Sequence, residues 1–308
     1  MATKLFDLAA LGTNYDPDVA KFESVGKKAN LKAASTDKVR TMLLIVDPQR
    51  DFVHTDGALS VPVAIGDMER LIGWIYANVG IITTIGASLD THTRMMIFHP
   101  DWWKNVASGK SPDPFTPITL ADIKAGKWQA LKDPAWSVRY IDRLEKAAKK
   151  NLMIWPFHCL VGTDGQKLVP ALHEAIAFHA GARVTKPELI TKGTVPQVEH
   201  YGIFAAEVPY HKDPKASGLN VEYLDMIAQY DRIFVAGEAK SHCVLETMKQ
   251  MLAYFGNQPD VIAKIRFMVD CTSSVAHPAI DFETLANAEL KEMEKKGVVM
   301  VTSSDPIK

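Results

Sequence analysis

Short apolar, β-branched runs alternate with amphipathic stretches along most of this chain. The runs lie at residues 41–46, 81–89, 152–155, 189–191, 233–236, 265–269 and 298–301. Each has the length of a strand and is almost continuously hydrophobic, as strands of a parallel sheet covered on both faces are. Between them Ile65, Met68, Leu71, Ile72 and Ile75 recur at helical spacing. Segments 64–79, 142–150, 168–180, 219–229 and 280–296 are read as helices on this pattern. Gly86, inside the second run, is read as a bulge. The alternation predicts an α/β fold with three layers, αβα, around a mainly parallel central sheet.

Two regions break the pattern. Residues 1–39 show no clean period and are read as an N-terminal arm draped over a single domain spanning 40–308. Residues 93–137 combine Trp102, Trp103, Trp128 and Trp136 with Pro100, Pro112, Pro114, Pro117 and Pro134. That is too much proline for a long helix and too much aromatic surface for disorder. The segment is read as a packed insertion whose aromatics form either a satellite core, the commoner case, or the cover of a pocket.

Composition narrows the function classes. The chain has 308 residues, 47% of them hydrophobic and 23% charged, as in ordinary soluble domains. A formal net charge of −1 offers no electrostatic case for nucleic acid or an anionic membrane. No apolar run reaches membrane-spanning length, and the first forty residues lack the apolar core of a secretory signal. Cys159, Cys243 and Cys271 suggest no disulfide framework, so the expected compartment is the cytosol. Neither a Gly-x-Gly-x-x-Gly nor a Walker motif is present, which argues against a dinucleotide or nucleoside triphosphate site.

The chemistry-bearing residues cluster at the ends of the runs, where open α/β sheets place their sites. The run 233–236 leads through Gly237 to Ser241, a plausible N-cap, and then to Cys243 in a first helical turn. Cys243 is either a buried small hydrophobe or a thiol whose pKa the helix N-terminus lowers. Asp47 closes the first run and heads a polar mouth with Gln49, Arg50 and Asp51; a turn aspartate is the plainer alternative. Asp90 and His92, two apart at a strand end, point to one side and suit a divalent metal, although Asp-x-His alone is common. His158 follows another strand end and could complete an Asp–His–His set, or be an ordinary loop histidine. His99 is a competing ligand. Lys192 closes a further run, as a snorkelling surface lysine or as a cation aimed inward.

Four motifs in this order resemble the isochorismatase-like cysteine hydrolases, and among them the nicotinamidases, over roughly residues 40–301. Asp47-Pro48-Gln49-Arg50-Asp51-Phe52 is similar to the family's first strand end, with its catalytic aspartate and pocket phenylalanine. Asp90-Thr91-His92 and Trp155-Pro156-Phe157-His158-Cys159 resemble the halves of a metal site. Thr191-Lys192-Gly193, with Glu199-His200-Tyr201, resembles the catalytic lysine segment, and Gly237-Glu238-Ala239-Lys240-Ser241-His242-Cys243 the nucleophile elbow.

The resemblance implies an amidase. Cys243 would be the nucleophile, Asp47 the proton carrier and Lys192 the cation beside them. Backbone N–H groups of Ala239 and Cys243 would form the oxyanion hole, after a cis Glu238–Ala239 peptide. Phe52, Tyr201 and Glu238 would line the substrate pocket, and Asp90, His92 and His158 would hold a divalent metal, with zinc the first choice. The implied substrate is a small heteroaromatic carboxamide such as nicotinamide, released as acid and ammonia through a thioester. A carbamoyl or ureido amide is the alternative substrate, and a catalytically idle binding protein the alternative class. The long His92–His158 gap and Glu238, where the family keeps an apolar residue, are departures that bear on substrate identity. The family is often oligomeric, and the arm is a candidate for such a contact.

Overall fold

Six of the seven apolar runs become strands of one parallel sheet, and the run at 152–155 pairs antiparallel outside it. The computed structural model describes residues 7–148 and 150–307. Its strands in chain order are β1 Thr41–Val46, β2 Thr84–Asp90, β3 Trp103–Asn105, β4 Pro117–Ile118, β5 Trp128–Ala130, β6 Leu152–Met153, β7 Glu188–Lys192, β8 Arg232–Gly237, β9 Ile265–Met268 and β10 Val299–Val301. Six of them form the central sheet in the order β10-β9-β8-β1-β2-β7, with every neighbouring pair parallel. β1 lies inside it and is buried throughout. Leu43 and Ile45 face one core layer and Met42, Leu44 and Val46 the other, as the two-residue period of a strand requires. Gly86 makes no bulge. It pairs with Leu44 and Glu188 in unbroken register, and a Cβ there would meet Met42 Cε and the Tyr223 hydroxyl, each at 2.9 Å.

The arm contains a helix that the periodicity reading passed over, Val19–Lys27, capped by the Asp18 side chain accepting from Lys21 N. It packs on Pro170–Arg183, and glycines set the separation. A Cβ on Gly26 would lie 2.1 Å from Phe178 O, and one on Gly181 would lie 2.1 Å from Glu23 O. Backbone cannot yield as a side-chain tip does, so Gly26→Ala is expected to cost about 1–3 kcal/mol, read as a lower urea midpoint at unchanged slope.

Residues 93–137 form one small antiparallel ribbon, β3 with β5, and a strand β4 that pairs antiparallel with β6 beyond them, beside short helices. Trp102, Trp103, Trp128 and Trp136 are buried in the main core, and none of them faces the reaction cavity described below. The helix expected at 142–150 is instead the tail of Pro134–Arg143 continued by a wider turn, Leu144–Ala148. No helix among the described residues is long and apolar enough to cross a membrane.

Burial leaves several histidines neutral. His179 has no exposed surface, its Nε2–H donates to Ile82 O at 2.9 Å, and burial lowers its pKa to about 4. The unfolded chain therefore binds a proton near pH 6.5 that the folded chain refuses until about pH 4, and stability is lost as pH falls through that window. His242 and His200, each pushed by burial to about 3, act in the same direction. The thermal midpoint is expected to drop between pH 7 and pH 5. His179→Gln should flatten that drop by about 1.4 kcal/mol per pH unit, and an unchanged pH profile in this variant would sink the account.

Candidate active site

The carboxyl ends of β1, β2, β7 and β8 converge on one cluster. β1 delivers Asp47, β2 Asp90, β7 Lys192, and the turn after β8 delivers Cys243. Lys192 Nζ lies 2.8 Å from Asp47 Oδ2, 3.0 Å from Asp90 Oδ1 and 3.8 Å from Cys243 Sγ, and donates to His200 O at 2.8 Å. Ser88 Oγ donates to Asp47 Oδ1 at 2.6 Å and accepts from Asp47 N at 2.9 Å, so the neighbouring strand β2 fixes the carboxylate. All these groups are buried.

Burial and charge set the protonation states. Burial raises the Asp47 pKa; Lys192 opposes this and the Asp90 charge adds to it. Burial alone would also raise Asp90, but His92 and Lys192 outweigh it and hold that carboxylate well below the usual range. The Lys192 pKa is raised, since Asp47 and Asp90 more than offset its desolvation. For Cys243 burial wins. It pushes the thiol up, Lys192 pulls it down, and Asp47 and Asp90 push it up again. The lowered pKa expected from a helix N-terminus is therefore not the resting state. Nor is the helix built as the N-cap reading had it. It begins at Lys240 with a wide turn, Lys240–Val244, and Ser241 lies inside it, bonding His242 Nδ1 and Val275 N through its hydroxyl.

A second cluster adjoins the first. Asp90, His92 and His158 present ligand atoms within 4.8 Å of one another. His92 Nε2 is 2.9 Å from Asp90 Oδ2 and His158 Nε2 is 3.9 Å from it. The segment carrying His158 reaches β2 by docking alongside His92: His92 N donates to Cys159 O at 3.0 Å and Val161 N to His92 O at 2.9 Å. Asp51 Oδ2 secures the turn by accepting from Cys159 N at 2.7 Å. Each imidazole is tied at Nδ1 to a carbonyl, His92 to Gly193 O at 3.0 Å and His158 to Pro156 O at 2.8 Å, which turns each Nε2 toward Asp90. Gly193 is required there, since it has φ +73° and a Cβ would fall 2.4 Å from Asp90 Oδ1. One carboxylate and two imidazoles with oriented Nε2 atoms fit a divalent cation. His99 lies close by, its ring 5.7 Å from that of His92, and burial lowers its pKa to about 2.

Cys243 and Asp90 of the first cluster and all three residues of the second line one common cavity. Phe52, Tyr201, Ala239 and Cys243 line it with Asp90, His92 and His158. Glu238 does not. Alternation along β8 puts it on the face of Phe234 and Ala236, beneath the sheet, where its carboxyl accepts from Ser273 N at 3.2 Å and meets Asp67. The Glu238–Ala239 peptide is cis.

Three residues named in the motifs take lining or supporting roles that the sequence reading did not assign to them. Gln49 clamps Asp90 by donating to its carbonyl at 2.7 Å and accepting from its N–H at 2.6 Å. Its place in the polar mouth after β1 was the available signal. Glu199 lines the cavity, accepts from Trp155 Nε1 at 2.6 Å, and is pushed by burial to about 8. His200 supplies the carbonyl that holds Lys192, a backbone role that no side-chain motif reports.

No family profile matches the chain. In sequence it is similar to the nicotinamidase of Saccharomyces cerevisiae, 22% identical over 211 residues that cover 67% of this chain and 78% of that protein. In structure it superposes on the yeast nicotinamidase bound to the inhibitor nicotinaldehyde with a TM-score of 0.57 and 18% identity, over 85% of this chain and 99% of that one. The Acinetobacter baumanii nicotinamidase/pyrazinamidase gives a TM-score of 0.55 at 18% identity, over 88% and 99%. The chain has the nicotinamidase fold. Within that fold the six-stranded parallel sheet carries both clusters on the carboxyl ends of its strands.

Proposed function

We propose that this protein is a cysteine-dependent amidohydrolase that converts a small heteroaromatic carboxamide, nicotinamide being the first candidate, to its acid and ammonia. The observation that carries the reading is the thiol of Cys243 lining the same cavity as the Asp90–His92–His158 group, with the ammonium of the Asp47–Lys192 ion pair 3.8 Å from its sulfur. The yeast relative of that name supports the substrate class.

In the proposed cycle Asp47 takes the Cys243 proton as sulfur attacks the amide carbon. The C–S bond forms and the carbonyl π pair moves to oxygen, where Ala239 N–H and Cys243 N–H receive it; each such donor is worth about 3 kcal/mol. Collapse breaks the C–N bond, and nitrogen takes the proton from Asp47 and leaves as ammonia. Water then adds to the thioester, giving a proton to Asp47, and the tetrahedral adduct expels the thiolate, which regains the proton. Lys192 keeps the anionic intermediates paired throughout. A raised Asp47 pKa suits this role, since a base must also give its proton back. Asp90, His92 and His158 would hold a divalent ion, zinc being the one this donor set suits best; when bound, it supplies a Lewis-acid anchor for a ring nitrogen. A reducing, cytosolic setting suits the chemistry, because the nucleophile must stay a thiol.

The test is ammonia release from nicotinamide by zinc-loaded protein, by chelator-stripped protein and by protein reloaded after stripping. Stripping is expected to lower kcat/KM by about 10²-fold or more, with zinc restoring it. Turnover of ureido or carbamoyl amides in place of nicotinamide, indifferent to the chelator, would discard the substrate and the metal role together.

A further inference from the structure

Outside the reaction cavity lies a larger and more open chamber, which shares Trp155, Tyr201 and His242 with the inner cavity as common walls. Where the two meet, five rings close on one another. Phe115 and Trp155 stand 5.8 Å apart, Trp155 and His242 5.3 Å, His242 and Phe282 4.8 Å, Phe282 and His277 5.8 Å, and His277 and Phe115 6.2 Å. Every pair is edge-to-face, the geometry that aromatic quadrupoles favour. The collar is assembled from four separate segments: residues 93–137, the strand end before His158, the helix that carries Cys243, and the loop around His277 with the start of the helix Phe282–Lys295 that follows it. Phe115 adopts φ +65°, a conformation phenylalanine rarely takes, and its N–H is pinned to Ile154 O at 2.5 Å, beside Trp155.

The charges around the chamber are already matched within the chain. Lys150 pairs with Glu207 and Glu246, each at 2.8 Å, Lys249 with Glu246 and Glu289, and Glu292 with Lys295. The chamber thus offers an incoming group aromatic and aliphatic surface, with Met153, Leu245, Ile280 and Leu285 beyond the collar. An ionic ligand would have to break these pairs, whereas a neutral flat one would simply displace water.

We propose that the collar and outer chamber form a subsite for a second flat, apolar group, so that the substrates include aryl carboxamides bearing an additional ring. This rests on the amidohydrolase reading and extends it. The carboxamide ring occupies the inner cavity, and its substituent threads the loop of five rings, past Trp155 and His242, to lie against Phe115 and Phe282. On this reading the insertion, through Phe115, helps to set the substrate range.

Calorimetric binding to the Cys243→Ala protein tests the subsite without turnover, using nicotinamide and its 5-phenyl and 6-phenyl derivatives. At least one phenyl derivative is expected to bind about tenfold more tightly than nicotinamide, the effect of burying a ring. Phe115→Ala and Phe282→Ala, introduced separately and checked for an unchanged fold by circular dichroism, should each narrow that ratio about fivefold. The proposal is overturned if both derivatives bind more weakly than nicotinamide or not at all, or if the ratio survives both truncations. Ammonia release by the wild-type protein is measured in parallel. A retained affinity ranking without turnover refutes the amidohydrolase reading alone, and nicotinamide turnover with both derivatives excluded refutes the subsite alone.

Discussion

Cys243→Ala is expected to abolish ammonia release, with a loss on the order of 10⁴–10⁶-fold in kcat, the range seen when a covalent nucleophile is removed. The side chain is 6% exposed and packs in the core layer with Val244 and Met248, so the truncation should cost only about 1–2 kcal/mol of stability. Folding and catalysis are therefore separable in this variant. Cys243→Ser is the sharper probe. It preserves shape, but its hydroxyl is harder to ionise, and Asp47 and Lys192 are arranged around a sulfur 3.8 Å from Nζ. A loss comparable to that of alanine is expected. Iodoacetamide should modify Cys243 ahead of Cys159 and Cys271, which have no exposed surface. Because burial pushes the Cys243 thiol up, that reaction should accelerate as pH rises above neutrality. Turnover of nicotinamide by Cys243→Ala at more than a few per cent of wild type would remove the nucleophile assignment.

Much of this site was legible because strand ends are legible. Asp47, Asp90 and Lys192 each close an apolar run, and a parallel sheet must bring such ends to one edge. What the runs do not report is the local path of the chain after the strand. Glu238 follows β8 directly, and counting its alternation from Phe234 and Ala236 would have turned it away from the cavity; motif position suggested otherwise. The pairing of His92 with Leu160 joins segments far apart in sequence and depends on Asp51 holding the Cys159 turn, a contact without local signature. The N-terminal helix did leave a trace, Asp18 as cap and Val19, Phe22 and Val25 three apart. Its stability comes from the glycine contact with Pro170–Arg183, which only the fold reveals. The insertion's tryptophans followed burial, the commoner fate of large aromatics, and left Phe115 as the ring beside the cavity mouth.

Lys192→Met should be as damaging as loss of the thiol, and for a different reason. The ammonium stands between two buried carboxylates, 2.8 Å from Asp47 and 3.0 Å from Asp90, and the methionine leaves Asp47 without a cation and Asp90 with only its histidine neighbours. Breaking a buried ion pair from one side costs about 3–5 kcal/mol, so the variant should melt well below wild type at neutral pH. Activity should fall about 10²–10⁴-fold, because a carboxyl that must hold its proton to remain buried no longer accepts one from sulfur. The pH profile of stability carries the diagnostic sign. In the wild type the Lys192 pKa is raised by Asp47 and Asp90, so its contribution is whole below about pH 10.5 and is lost only as pH climbs through the folded value. In the variant one carboxyl of the pair takes up a proton that the unfolded chain has released above about pH 4. Native protein then binds the extra proton, and the stability gap between variant and wild type should shrink as pH falls from 7.5 to 5, by about 1.4 kcal/mol per unit. Denaturant titrations at several pH values measure that gap directly. A gap independent of pH would mean that Asp47 and Asp90 stay ionised together without Lys192, and that the ion pair does not govern the charge of this site.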